Sequence, residues 1–126
     1  MEYTASYNAN EQIIELKLQG KITSKDVKGL IAGVLQVMEE SGCLRILCDC
    51  REFELGLSIM DIYDVPKAVS EMASARGLRA RFFKYAIVIR KGSEGYGFLE
   101  TVFLNNMQKT RLFFDLEQAR EWLMAQ

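Results

Sequence analysis

The sequence predicts one α/β domain over residues 1–126, built on a mixed β-sheet of about five strands and covered by about four helices. Three observations carry this. Short apolar runs alternate with longer segments whose apolar residues recur every three or four positions, the spacing of a helix face. The first two runs lie close enough for a hairpin, whereas the later ones are separated by helix-length segments, as parallel strands require. A chain of 126 residues, 49% hydrophobic and 26% charged, suits one hydrophobic core.

In order, Tyr3 to Tyr7 and Ile13 to Leu18 read as antiparallel strands joined through Asn8-Ala9-Asn10, with Ile14, Leu16 and Leu18 alternating and Gly20 closing the second. Thr23 or Ser24 is placed to cap a helix running to about Ser41. Val27, Leu30, Ile31, Val34, Leu35 and Met38 form its stripe, and Gly42 stops it. Leu44 to Cys48 is a short buried strand that delivers Asp49 to its C-terminal end, followed by the loop CREFELGL. Ser58, with Asp61 three residues on, has capping-box spacing. Pro66 disfavours helical geometry at Val65, which predicts a short turn over Ile59 to Asp64 and a separate helix from Pro66 to Arg76, ended by Gly77. Phe83 to Ile89 is the next strand. A helix then carries Phe98, Leu99, Val102, Phe103 and Met107; Arg111 to Phe114 is the last strand. Asp115 caps a final helix with Leu116, Ala119, Trp122 and Leu123 inward and Gln118 at the reciprocal capping position. Written compactly, the order is ββαβαβα: a hairpin, then strand–helix alternation.

The pattern Leu18-x-Gly20-x-Ile22-Thr23 before a helix, Leu44 to Asp49, Tyr85 to Ile89, and Arg111-x-Phe113-x-Asp115-x-x-x-Ala119-x-x-Trp122-Leu123 resembles the SpoIIAA-like family of the STAS superfamily. The resemblance runs along nearly the whole chain, and its C-terminal signature is the most specific part. It implies a STAS-like fold, similar to that of anti-sigma-factor antagonists and more distantly to the Sec14 lipid-transfer fold. In the antagonists, a serine in an Asp-Ser-Ser-Gly motif, at the start of the helix after the Asp-ended strand, is phosphorylated by a partner kinase. Here that region reads GLSIMDIYD, so Ser58 is the phosphorylation candidate, without the second serine or the glycine and with Asp61 and Asp64 close by.

Composition removes several chemistries. Histidine is absent, which excludes Ser-His-Asp and Cys-His centres and histidine-ligated metals from this chain alone. Cys43, Cys48 and Cys50 are an odd set in one apolar segment and read as small buried hydrophobes, with a soft metal the alternative. The N-terminus MEYTASYN lacks the basic-then-apolar order of a signal peptide, and no apolar run reaches membrane-spanning length, so a cytoplasmic protein is expected. Net charge is −1, with 6 basic and 11 acidic groups in residues 1–64 and 10 and 6 in residues 65–126. Arg76, Arg79, Arg81, Lys84, Arg90 and Lys91, with Phe82, Phe83 and Tyr85 among them, read as a solvated basic patch; nucleic acid is not expected as a partner.

Four features remain as site candidates. Asp49, Glu52, Glu54, Asp61 and Asp64 fall where the C-terminal edge of the sheet is expected, without the spacing of a metal loop, so no metal is assigned. The stretch RKGSEGYGF, with Arg90, Lys91, Gly92, Ser93 as a cap, Gly95, Tyr96 and Gly97, matches neither nucleotide-binding glycine motif and reads as a strand-to-helix turn. Gly29 and Gly33, four apart on the first helix, mark a close-packing or homodimer face. Phe53, Leu55, Leu57, Ile59, Met60, Ile62 and Tyr63 put apolar content where a loop usually carries less. The leading expectation is a non-enzymatic module that engages a protein partner, without cofactor. The second is a small carrier or sensor of an apolar or anionic ligand. For an enzyme only Asp49, Ser58 and Arg90 could be nominated, with no base to activate the serine.

Overall fold

The computed structural model describes residues 1–125. Among these the chain forms five strands and four α-helices: β1 (Glu2–Asn8), β2 (Ile13–Ile22), α1 (Val27–Ser41), β3 (Arg45–Leu55), α2 (Ile59–Ala75), β4 (Lys84–Val88), α3 (Tyr96–Asn105), β5 (Lys109–Phe113) and α4 (Leu116–Met124). A 3-10 turn at Ala80–Phe82 leads into β4. The order is ββαβαβαβα, one strand–helix unit longer than the compact string.

The sheet order is β1-β2-β3-β4-β5, with β1 antiparallel to β2 and every other neighbour pair parallel. The hairpin turns where Asn8 accepts from the N–H groups of Asn10 (3.1 Å) and Glu11 (3.2 Å), a side-chain-built turn. Parallel neighbours need crossovers, and crossovers of one hand through consecutive strands place their helices on one face. The core divides accordingly. Ile14, Leu16, Ile46, Cys48, Tyr85 and Ile87 point to the side of α1, α2 and α3; Ile13, Leu47, Ala86, Val88 and Phe113 meet Ala119 and Leu123 of α4 on the other.

Several boundaries correct the sequence-based ones. Gly20 does not close β2: it sits within it at φ +89°, and β2 pairs with β3 as far as Ile22↔Leu55. CREFELGL is therefore mostly strand rather than loop. The missed signal is a bulge, because Lys17 pairs with Asp49 but Gln19 with Glu52, so one extra residue on β3 shifts the alternation. After it, Phe53 and Leu55 rejoin the helix-covered face.

Pro66 does not divide α2, which runs unbroken from Ile59 to Ala75. The missing N–H leaves one helical bond unmade, but the Pro66 ring is fully buried and its carbonyl accepts from Gln108 Nε2 at 3.0 Å. Tertiary contacts thus hold a residue that local preference would have expelled. Neither Thr23 nor Ser24 is the residue flanking α1; that is Asp26, whose carboxylate accepts from both the N–H (3.0 Å) and hydroxyl (3.1 Å) of Thr23. Met107 lies beyond α3, 74% exposed, and Phe98 is partly exposed, so neither joins the buried stripe of Tyr96, Leu99, Val102 and Phe103. β5 begins at Lys109, two residues before the expected Arg111. The expected Asp115 cap is present, accepting from the N–H of Gln118 at 3.1 Å.

Candidate functional site

The C-terminal ends of β2, β3 and β4 bring the glycine-rich turn and the start of α2 together. The two do not face each other across a cleft. A Cβ on Gly95 would meet Leu55 at 3.3 Å and Ile62 at 3.6 Å, so the turn packs directly on α2 and the end of β3. Tyr96 is buried and donates its hydroxyl to the Phe53 carbonyl at 2.9 Å; Arg90 pairs with Glu52 at 3.1 Å. The edge is therefore closed beneath and polar above.

Three residues expected at this edge belong instead to the core. Phe53, Ile62 and Tyr96 are all buried, because the bulge turns Phe53 inward and the helix periods of α2 and α3 turn the other two. Asp49 is also displaced. β3 continues six residues beyond it, so Asp49 is mid-strand and faces away from the three-helix layer, where Arg51 holds it (Nε–Oδ1 2.9 Å) and keeps its carboxyl below the ordinary range. Ser93 is not a cap: Gly95 flanks α3 at φ +86° with no side-chain bond to the helix, while the N–H of Ser93 closes a turn on the carbonyl of Arg90. Gly92 also has positive φ; Gly97, at the surface, has open space around it. Lys91 reaches across to the Phe114 ring, 5.7 Å from its centroid.

At the start of α2 the expected cap is present. Ser58 accepts from the N–H of Asp61 at 3.1 Å. Directly after it, Ile59, Met60 and Tyr63 stand 71%, 67% and 45% exposed, while Ile62, Val69 and Ala73 of the same helix are buried. Lys67 lies 4.6 Å from the Tyr63 ring centroid, one turn further on. The apolar content seen in the sequence is thus split: Leu55 and Leu57 pack against the core, and Ile59, Met60 and Tyr63 form an outward ridge.

The basic patch does not survive folding as one surface. Arg76 pairs with Glu39 of α1, Lys84 donates to the Trp122 and Ala125 carbonyls at the end of α4 (2.6 and 3.0 Å), and Arg90 is at the far end of β4. Phe83 and Tyr85 are buried. Lys84 begins β4 and Arg90 lies two residues past its end, six residues on, a separation of roughly 20 Å at a strand's rise. The glycine pair divides too. A Cβ on Gly33 would collide with the phenol oxygen of Tyr3 in β1, so the close approach there is made within the chain; Gly29 has nothing near it. The cysteines are all buried, and burial pushes the Cys48 thiol up to about 12 and the Cys50 thiol well above its usual value.

What sequence reasoning missed lies inside. Beneath α1, α2 and α3 is a cavity of about 150 Å³ whose lining includes Leu16, Leu35, Cys48, Val69, Ile87 and Phe103. No helix among the described residues is long and apolar enough to cross a membrane.

This sheet, with its antiparallel first strand, three helices on one face and a fourth behind, defines a STAS-like α/β fold. The SpoIIAA-like family model matches residues 13–124, and the chain belongs to that family. Among solved structures it is similar to an uncharacterised protein with a SpoIIAA-like fold from Shewanella loihica PV-4, at 18% identity and TM-score 0.59 over 97% of this chain and 92% of that one. It is also similar to the anti-sigma factor antagonist SpoIIAA in its unphosphorylated form, at 11% identity and TM-score 0.57 over 97% of each chain. At these identities the likeness is one of fold. No curated protein matches it in sequence.

Proposed function

We propose that this chain is a non-enzymatic, cytoplasmic regulatory module that acts by binding a protein partner, and that the first turns of α2 are the surface it presents. The carrying observation is the ridge of Ile59, Met60 and Tyr63. Water meets these side chains in the free protein, and burying one fully against a partner recovers roughly 1.5–3 kcal/mol. An apolar cluster of large side chains at one helix end, rimmed by Asp61, Asp64 and Lys67, has the make-up of a binding hot spot. The fold shared with an anti-sigma factor antagonist supports a partner-binding role over a catalytic one.

Ser58 adjoins the ridge and is exposed, so it is the residue at which phosphorylation would alter this surface. A phosphate there meets the favourable N-terminus of α2 and the unfavourable charges of Asp61 and Asp64.

The test is retention from the native lysate by immobilised wild-type protein and by an Ile59→Ser, Met60→Ser, Tyr63→Ser triple variant. The wild type retains a specific protein, identified by mass spectrometry, and the variant, with unchanged circular dichroism and Tm, loses it. Equal retention by both overturns the assignment of the surface. Phosphopeptide mapping of the recovered wild type reads out Ser58 in the same experiment.

A further inference from the structure

Protein interiors contain few voids larger than a water molecule, because each leaves its lining without partner atoms. The space of about 150 Å³ beneath the three-helix layer is several times larger. Its walls come from the three strands β2, β3 and β4 and the three helices α1, α2 and α3, with Leu57 and Phe83 added from the connections, and every lining residue is Leu, Ile, Val, Met, Cys, Phe or Tyr. The two tyrosines supply the only hydroxyls, and both are committed elsewhere: Tyr85 donates to Gln108 Oε1 at 3.0 Å and Tyr96 to the Phe53 carbonyl at 2.9 Å. Among the described residues no buried side-chain nitrogen or oxygen lacks a partner. Water, which needs two to four polar partners, has nothing there to hold it.

We propose that this cavity is a binding site for a compact, uncharged apolar molecule, of the size of a single aromatic ring. Its chemistry follows from the lining: there is no charge to receive a carboxylate or phosphate and no free hydrogen-bonding group to fix a polar ligand. Its volume suits a benzene-sized molecule, since an apolar cavity of this size stays dry and takes such a ligand. A long acyl chain does not fit.

The lining also indicates the way in. Val27, Leu30 and Val34 of α1, Leu55 at the end of β3, Leu57 just after it, and Val65 of α2 are only partly buried, whereas the floor formed by Leu16, Ile46 and Ile87 is closed. Val27 and Val65 also line an open neighbouring cleft edged by Lys25, Lys28, Asp61 and Asp64, so the mouth opens between the N-terminal halves of α1 and α2. The site goes beyond the partner reading and does not depend on it, because Ile59, Met60 and Tyr63 point outward and contribute nothing to the lining.

The experiment is a benzene titration of the full chain, followed by methyl NMR and thermal unfolding. Shifts confined to methyls such as those of Leu35, Val69 and Ile87, intermolecular NOEs from benzene to them, and a Tm that rises with benzene concentration are expected, since a ligand of the folded state stabilises by mass action. Palmitate is expected to produce none of these. The variant Val34→Phe, which fills the mouth from a partly exposed position, is expected to fold and to lose the shifts. Should it fail to fold, the wild-type NOEs decide alone. Unmoved methyls at benzene saturation, or shifts scattered over the surface, overturn the proposal; either result leaves the α2 ridge to be judged by its own retention test.

Discussion

Gln108 has no exposed surface, and both ends of its amide are used. Its oxygen accepts from Tyr85, and its nitrogen donates to the Pro66 carbonyl and, at 3.2 Å, to the Ser70 hydroxyl, tying β4 and α2 to the start of β5. Leaving such groups buried without partners costs about 1–3 kcal/mol each. Gln108→Leu is therefore expected to lower unfolding free energy by about 2–4 kcal/mol in urea titrations. Adding Tyr85→Phe should restore about 1 kcal/mol by removing the orphaned hydroxyl. If the double variant is no more stable than the single one, the Tyr85 bond is not what Gln108 provides. This residue was invisible in the sequence for a physical reason: its partners lie 23, 42 and 38 positions away, and a lone glutamine between a helix and a strand reads as a loop. Ser58 and Asp115 were legible because each cap bonds an N–H three residues on.

Within α1 the two glycines, alike in sequence, differ in surroundings. Each costs the helix about 0.8–1 kcal/mol relative to alanine. Gly29→Ala meets open space and is expected to raise stability by about that amount. Gly33→Ala must displace the Tyr3 phenol and should gain less, whereas in a Tyr3→Ala background the two substitutions should become equal, as read by Tm. Equal gains in the wild-type background would mean that Tyr3 does not rest on Gly33. The same logic governs α2. Local chemistry places its cap correctly and forecasts a break at Pro66; packing of the Pro66 ring against the body of the fold keeps one helix of 17 residues. It is this continuity that puts the Ile59 ridge and the Val65 and Val69 cavity wall on one rigid element. Strand β3 shows the converse, since a one-residue bulge hid Phe53 and Leu55 in a segment that otherwise alternates as a strand should.

Across the whole molecule, ionisable groups buried in the apolar core set how stability responds to alkali. An unfolded thiol ionises near 9.0, but burial pushes Cys48 up to about 12, and it pushes Cys50 and the Tyr85 and Tyr96 hydroxyls upward as well. Raised values mean that the folded state keeps protons that the unfolded state gives up. The thiols' contribution is fully present below pH 9 and the tyrosines' below about pH 10. Each is lost as pH rises above that value, at about 1.4 kcal/mol per unit for each group, and the Cys48 part is gone by about pH 12. Urea titrations at neutral pH and above pH 10 should show this fall, and Cys48→Ala should make it shallower. A flat profile would contradict the burial of these groups.

Element types, most of their order and the family signature were determined by the sequence alone, because periodicity, caps and turns act over a few residues and declare themselves locally. The absence of histidine did the same for excluded chemistries. Which edge residues are buried, whether the basic residues form one patch, what covers Gly33, and the apolar space under the helices were decided only by tertiary structure. Each depends on residues distant in the chain meeting in space, and a void in particular is a property of how side-chain volumes fit together, which no single segment carries.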